Sequence, residues 1–151
     1  MENLQIRKAC ARDAETLIEL YHQHLTKMPP EGEPDIPLWR DKLARFEKDS
    51  LYHLLVGVVE GKIVSSVTLV VIENLTHGVR PYAVMENVVT HPDGRGRGYA
   101  TALIAHAAGI AKEMGCYKIM LLTGSKQEST LRFYERCGFD RYAKTAFLMR
   151  L

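Results

Sequence analysis

The chain has no long apolar run. Nothing approaches the roughly 18 consecutive apolar residues that a membrane-crossing helix needs, and Met1-Glu2-Asn3 leads into a short alternating segment instead of a signal peptide. Charge of one sign is also missing, since 20 basic and 18 acidic residues leave a net charge of +2, too little for a nucleic-acid footprint. Cys10, Cys116 and Cys137 are odd in number and widely spaced. That excludes a disulfide framework or zinc finger and reads as reduced thiols in a cytoplasmic protein, where the sequon Asn74-Leu75-Thr76 goes unused. His22 and His24 are two apart, hence on different helix faces, and His-Glu-x-x-His is absent, so no metal site is expected. Repeats and low-complexity tracts are lacking too. A chain of 151 residues reads as one domain over 1–151, long enough to bury about 70% of its extended-chain surface.

What is present centres on one stretch, Glu86-Asn87-Val88-Val89-Thr90-His91-Pro92-Asp93-Gly94-Arg95-Gly96-Arg97-Gly98-Tyr99-Ala100. Val88 and Val89 suit a half-buried strand and Pro92 ends it. From Ala100 the small and apolar residues Leu103, Ile104, Ala107, Ala108 and Ala111 recur on one helix face. Gly96 and Gly98 let a ligand approach the backbone, and the first helical N–H groups carry partial positive charge toward it. This is an anion cradle suited to a phosphate or pyrophosphate. A Walker loop is excluded because no Gly-Lys-Ser/Thr follows, and a dinucleotide fingerprint because Thr101 stands where its third glycine would be.

Arg95-Gly96-Arg97-Gly98-Tyr99-Ala100 resembles the acyl-CoA-binding motif Gln/Arg-x-x-Gly-x-Gly/Ala of the GNAT superfamily of N-acetyltransferases. Leu131-Arg132-Phe133-Tyr134-Glu135-Arg136-Cys137-Gly138-Phe139 resembles the family's C-terminal Phe-Tyr-x-x-x-Gly-Phe signature. The resemblance covers about 54–140 well and the first 50 residues in outline. It implies an α/β fold with a mixed, mostly antiparallel central sheet flanked by helices.

The residues themselves predict the order β-α-α-β-β-β-α-β-α-β. Leu4–Ala9 reads as a strand, and Asp13 caps a helix to about Lys27 with Leu17, Ile18, Tyr21 and Leu25 inward. Met28–Pro37 holds four of the six prolines and reads as a loop, with Pro37 opening a helix that carries Leu38, Trp39, Leu43 and Phe46. Leu54–Val59, the turn Glu60-Gly61 and Lys62–Ile72 read as a hairpin. Asn74–Pro81 is a loop, Gly115 stops the long helix, and Tyr117–Leu122 is a buried strand. Ser125 and Glu128 have capping-box spacing for the helix bearing Tyr134, which Gly138 ends. Arg141–Leu151 reads as an edge strand.

The resemblance implies an acetyl-CoA-dependent acetyltransferase acting by direct transfer in a ternary complex. Glu86 corresponds to a carboxylate that takes the ammonium proton, directly or through water, and burial in an apolar strand would make it a better base. A solvent-facing charge is the alternative. Tyr134 corresponds to a general acid for the departing thiolate, or else is an ordinary core aromatic. Backbone groups of Val88, Val89 and Thr90 would pair with the pantetheine arm as an added strand does, one amide facing the thioester oxygen. Amides of Arg97, Gly98, Tyr99, Ala100 and Thr101, on the loop opened by Arg95 and Gly96, would hold the pyrophosphate. The Arg95 and Arg97 side chains either reach phosphate oxygens or form a solvated face. Gln127 stands where relatives carry an Asn that touches CoA.

The acceptor is a primary amine of a small molecule on this reading, or a protein amine. A non-catalytic acyl-CoA sensor would need neither Glu86 nor Tyr134. Glu86-Asn87-Val88-Val89 and Gly115-Cys116-Tyr117-Lys118-Ile119 look similar to glucosamine 6-phosphate acetyltransferases, but Leu122–Glu128 is not the acidic turn those enzymes use. The segments Met28–Asp35 and Glu73–Arg80 are expected to form the acceptor pocket. An edge strand needing cover predicts a homodimer.

Overall fold

A computed structural model describes residues 3–151; the start of the chain read above as no signal peptide, Met1 and Glu2, lies outside them. The chain forms two compact units, one up to Met120 and one from Leu121 onward. Five strands, β1 (Gln5–Lys8), β2 (Tyr52–Val59), β3 (Lys62–Ile72), β4 (Tyr82–Thr90) and β5 (Ile119–Leu121), form one sheet in the order β1-β2-β3-β4-β5. The pairs β1–β2, β2–β3 and β3–β4 are antiparallel. Strand β2 is almost wholly buried and β3 is buried over residues 65–69, which explains their apolar runs. Glu60 and Gly61 both take positive φ, 48° and 77°, so the hairpin has the two-residue turn that matches strand twist.

Helix α1 (Ala14–His24) buries Ala14, Leu17, Ile18 and Leu20, and ends earlier than Lys27. Asp13 does not cap it through its side chain. The buried Asp13 carboxylate instead accepts two hydrogen bonds from Arg7, at 2.7 and 2.9 Å, and one from the Cys10 amide at 2.8 Å. Burial alone would push that carboxyl up, but the Arg7 and Cys10 bonds outweigh it and hold it below the usual range. Helix α2 (Ile36–Lys48) is capped by Asp35, whose Oδ1 accepts from the Leu38 amide at 3.0 Å. A single distorted turn, α3 (Thr76–Val79), lies within the loop expected over Asn74–Pro81.

Helix α4 (Tyr99–Glu113) buries Tyr99, Leu103, Ile104, Ala107 and Ala111. A Cβ at Gly57 would lie 2.8 Å from the Leu103 side chain, so glycine there lets α4 approach β2 closely. The fully buried Leu17, Leu55, Leu69, Met85 and Leu103 each contribute on the order of 1.5–3 kcal/mol relative to exposure.

In the second unit, α5 (Glu128–Arg136) begins after Gln127 with no side-chain cap, because the Ser125 hydroxyl accepts from the Gln127 amide at 3.3 Å and closes a local turn. The expected Ser125 capping box is therefore not formed. Arg141 binds both Glu128 and Glu135 and fastens the chain after α5 back onto that helix. Strand β5 is three half-buried residues, shorter than Tyr117–Leu122. The expected edge strand over Arg141–Leu151 is not a strand. Residues 143–151 have no regular structure, and Phe147 (91% exposed) and Met149 (84%) stand in solvent. A strand exists only through its ladder, and loose alternation does not supply one.

Candidate functional site

The site is built where β4 loses its register. Ser66 pairs with Val89 but Thr68 pairs with Glu86, so Asn87 and Val88 together face Val67. That is a β-bulge, and Asn87 carries it at φ 54°, in the left-handed region that Asn tolerates better than most residues. Beyond the bulge, the buried Ser65 hydroxyl donates to the Val89 carbonyl at 2.8 Å and lies 2.9 Å from the Thr90 hydroxyl, which must then donate to it. Val89 and Thr90 are thereby held in fixed positions. The nine residues of β4 lie beside only three in β5, so strand pairing on that side covers part of the length of β4. Glu86 is exposed on β4, not buried as the apolar strand suggested. Its side chain falls beside the bulge, where the strand no longer presents alternate residues to the core.

After Thr90 the chain turns. The His91 amide donates to the Val64 carbonyl at 2.9 Å, and the His91 ring accepts from the Asp93 amide at 3.3 Å. The buried Tyr99 ring packs on Gly94, where a Cβ would come within 3.2 Å of it. Tyr99 thus anchors the loop through its side chain, while its amide sits in the first turn of α4. Arg95 returns its Nε to the Thr90 carbonyl at 3.3 Å.

Gly96 (φ 73°) and Gly98 (φ 82°) are both left-handed and both open to solvent, with nothing within 4 Å of a built Cβ. What requires glycine is the dihedral, not crowding. Alternating left-handed residues before a helix turn successive N–H groups toward one point, and the first-turn amides of Ala100 and Thr101 have no acceptor within α4. The residues present fit a pyrophosphate. A cavity of about 970 Å³ opens between the β2–β3 turn and this loop, with Arg12, Lys62 and Arg97 among its lining.

On the other side of the bulge is a smaller, apolar cavity of about 260 Å³. Asn87 and Thr68 line it from the sheet, Tyr21 from α1, and Trp39, Lys42 and Phe46 from α2. Neither expected loop lines it: after Tyr21 the next lining residue is Leu38, and Glu73, Asn74, Leu75 and Val79 instead border a separate cavity. Arg80 is used structurally, donating to the Gly115 and Cys116 carbonyls. Asn87 and Thr68 were not singled out from the sequence; an Asn inside a Val-rich strand is the signal that could have found the bulge.

In the second unit, Tyr134 is half-buried on α5, with ring centroids 5.1 Å from Phe133 and 6.2 Å from Phe139. Gln127 precedes the helix and is exposed. Among the described residues no group of three or more His, Cys, Asp or Glu could hold a metal ion.

A five-stranded sheet whose bulged fourth strand runs into a glycine-opened helix defines the acetyltransferase class. The profile of the Acetyltransferase (GNAT) family matches residues 17–139, and the chain belongs to that family of acetyl-CoA-dependent N-acetyltransferases. It is 31% identical over 142 residues to the glucosamine 6-phosphate N-acetyltransferase of Trypanosoma brucei brucei, covering 94% of this chain and 92% of that one. A solved structure from Agrobacterium tumefaciens str. C58 superposes with a TM-score of 0.87 at 37% identity, over 97% of this chain and 99% of that one. The glucosamine-6-phosphate N-acetyltransferase of Arabidopsis thaliana shares the fold, with a TM-score of 0.84 at 23% identity over 99% of both chains.

Proposed function

We propose that this N-acetyltransferase, acting as one domain over 1–151, moves an acetyl group to a primary amine of a small molecule by direct transfer in a ternary complex. Acetyl-CoA supplies the acetyl group activated as a thioester. The amides of Arg97, Gly98, Tyr99, Ala100 and Thr101 bind its pyrophosphate, with Arg95 and Gly96 shaping the approach, and Gln127 adds a contact. Val88, Val89 and Thr90 align the pantetheine arm along β4 and turn one amide toward the thioester oxygen. Glu86 accepts the ammonium proton of the acceptor at its carboxylate, leaving the nitrogen lone pair free. The Tyr134 hydroxyl donates a proton to the departing sulfur. Exposure of Glu86 suits proton exchange with water. The observation that carries this reading is the bulge at Asn87–Val88, one short turn before the cradle at Gly96–Thr101.

The relatives named as glucosamine 6-phosphate N-acetyltransferases support a small acceptor. The exposed apolar side chains over 143–151 support a homodimer, because such a segment is stabilised when a second copy covers it. The test is thiol release from acetyl-CoA against a panel of free amines and amino-terminal peptides. Turnover of free amines is the expected result; acetylation of peptides alone would reject the reading.

A further inference from the structure

The cavity between α1, α2 and the sheet has a composition that selects its guest. We propose that it seats an aromatic ring borne by the acceptor, so that the preferred substrates are arylalkyl primary amines and not phosphorylated amino sugars. This rests on the reading of the chain as a small-amine acetyltransferase.

Four aromatic side chains line the cavity. Tyr21 and Trp39 stand 6.0 Å apart and tilted by 58°, while Phe46 and Tyr52 stack at 3.9 Å. Leu38, Leu43 and Leu54 complete the apolar wall. At about 260 Å³ the space suits a single ring and a short linker. Besides Lys42 on α2, the polar groups lie at the sheet end. There the buried Thr68 hydroxyl is fixed by no well-formed hydrogen bond; it faces the Tyr21 and Tyr52 hydroxyls, which burial raises, an effect that Ser66 and Thr68 partly offset at Tyr21 and Thr68 at Tyr52. Thr68 is the register partner of Glu86, so an amine reaching that end arrives at the strand position of the proposed base. Asn87 presents the other polar group.

A phosphorylated sugar asks for the reverse. Its phosphate and hydroxyls need several fixed donors, bidentate arginine above all. The lining contains one charged side chain, Lys42, and no arginine. Replacing hydroxyl contacts by four aromatic faces leaves a sugar's polar groups desolvated and unpaired. A flat apolar ring loses only water.

Thiol release is measured with acetyl-CoA and phenethylamine, glucosamine 6-phosphate or a short peptide, alongside the emission of Trp39, the single tryptophan. Phenethylamine is expected to show at least about tenfold higher kcat/KM than the sugar phosphate and to change Trp39 emission saturably. Leu38 is 52% exposed, so Leu38→Lys leaves the core intact. It should raise the KM for phenethylamine and improve turnover of glucosamine 6-phosphate. Preference for the sugar phosphate in the unaltered protein, or an unchanged phenethylamine KM in Leu38→Lys, overturns the aromatic acceptor while small-amine acetylation stands. Acetylation of the peptide alone overturns both.

Discussion

Replacing Gly98 by alanine adds one methyl group to a place where nothing lies within 4 Å, yet it should cost stability and cofactor affinity together. The reason is the dihedral. At φ 82° an L-residue sets its Cβ against its own carbonyl, a penalty of about 1–2 kcal/mol. For a domain of this size that converts to a fall in Tm of about 2–8 °C. If the loop relaxes to escape the strain, the amides before α4 no longer converge, and CoA affinity should drop about tenfold, ~1.4 kcal/mol. Gly109 provides the control on the same helix. It is exposed, has open space around its Cβ position and lies in α4 without positive φ. Gly109→Ala should therefore stabilise by about 0.5–1 kcal/mol through lost backbone entropy in the unfolded chain. Thermal melts and calorimetric titration with CoA check both. A Gly98→Ala protein with the parent's Tm and CoA affinity would show that the left-handed turn is not what builds the cradle.

Glu86→Gln should lower kcat/KM most at neutral pH and recover partly at high pH, where the amine arrives deprotonated; a pH-independent loss would remove the base role. Tyr134→Phe should lower kcat by about 10²–10⁴ if the phenol protonates the thiolate, and parent-like turnover would leave it a packing residue. Asp13→Asn should cost about 2 kcal/mol at pH 7, read by denaturant melts. Because Arg7 and Cys10 hold the Asp13 carboxyl below its usual range, that stability is full above about pH 4 and is lost as pH falls through the lower folded value. His53, lowered by burial and by Lys8, acts in a different window. Its contribution is full above about pH 6.5 and declines as pH falls from there toward the folded value, so His53→Gln should flatten the Tm profile between about pH 7 and 5.

Much of this protein was legible in its sequence alone. The Glu60-Gly61 hairpin, the apolar face of α4 and the glycine pair at 96 and 98 are local: neighbouring residues decide turn dihedrals, helix periodicity and cap geometry, and they sit side by side in the chain. The two motifs that resemble the family are local for the same reason, which is why the class of enzyme could be read early. Contacts between one element and another were not legible. Asp13 has the residue type and position of a helix cap, but Arg7 lies across from it in the fold and a charged partner holds the carboxylate more strongly than a capping amide. Ser125 is a local exception: its hydroxyl accepts from the Gln127 amide two residues on, and that turn competes with the cap. Arg141–Leu151 had strand-like residues and no ladder to join. The bulge at Asn87 depends on β3 holding Ser66 and Thr68 in register while β4 supplies one residue too many: Asn87 marks the place in the sequence of β4, and the pairing with β3 decides it. The aromatic cavity likewise gathers Tyr21, Trp39, Tyr52 and Thr68 from four elements. Periodicity determined which face of each element is apolar; only tertiary packing decided which of those faces leave a space between them.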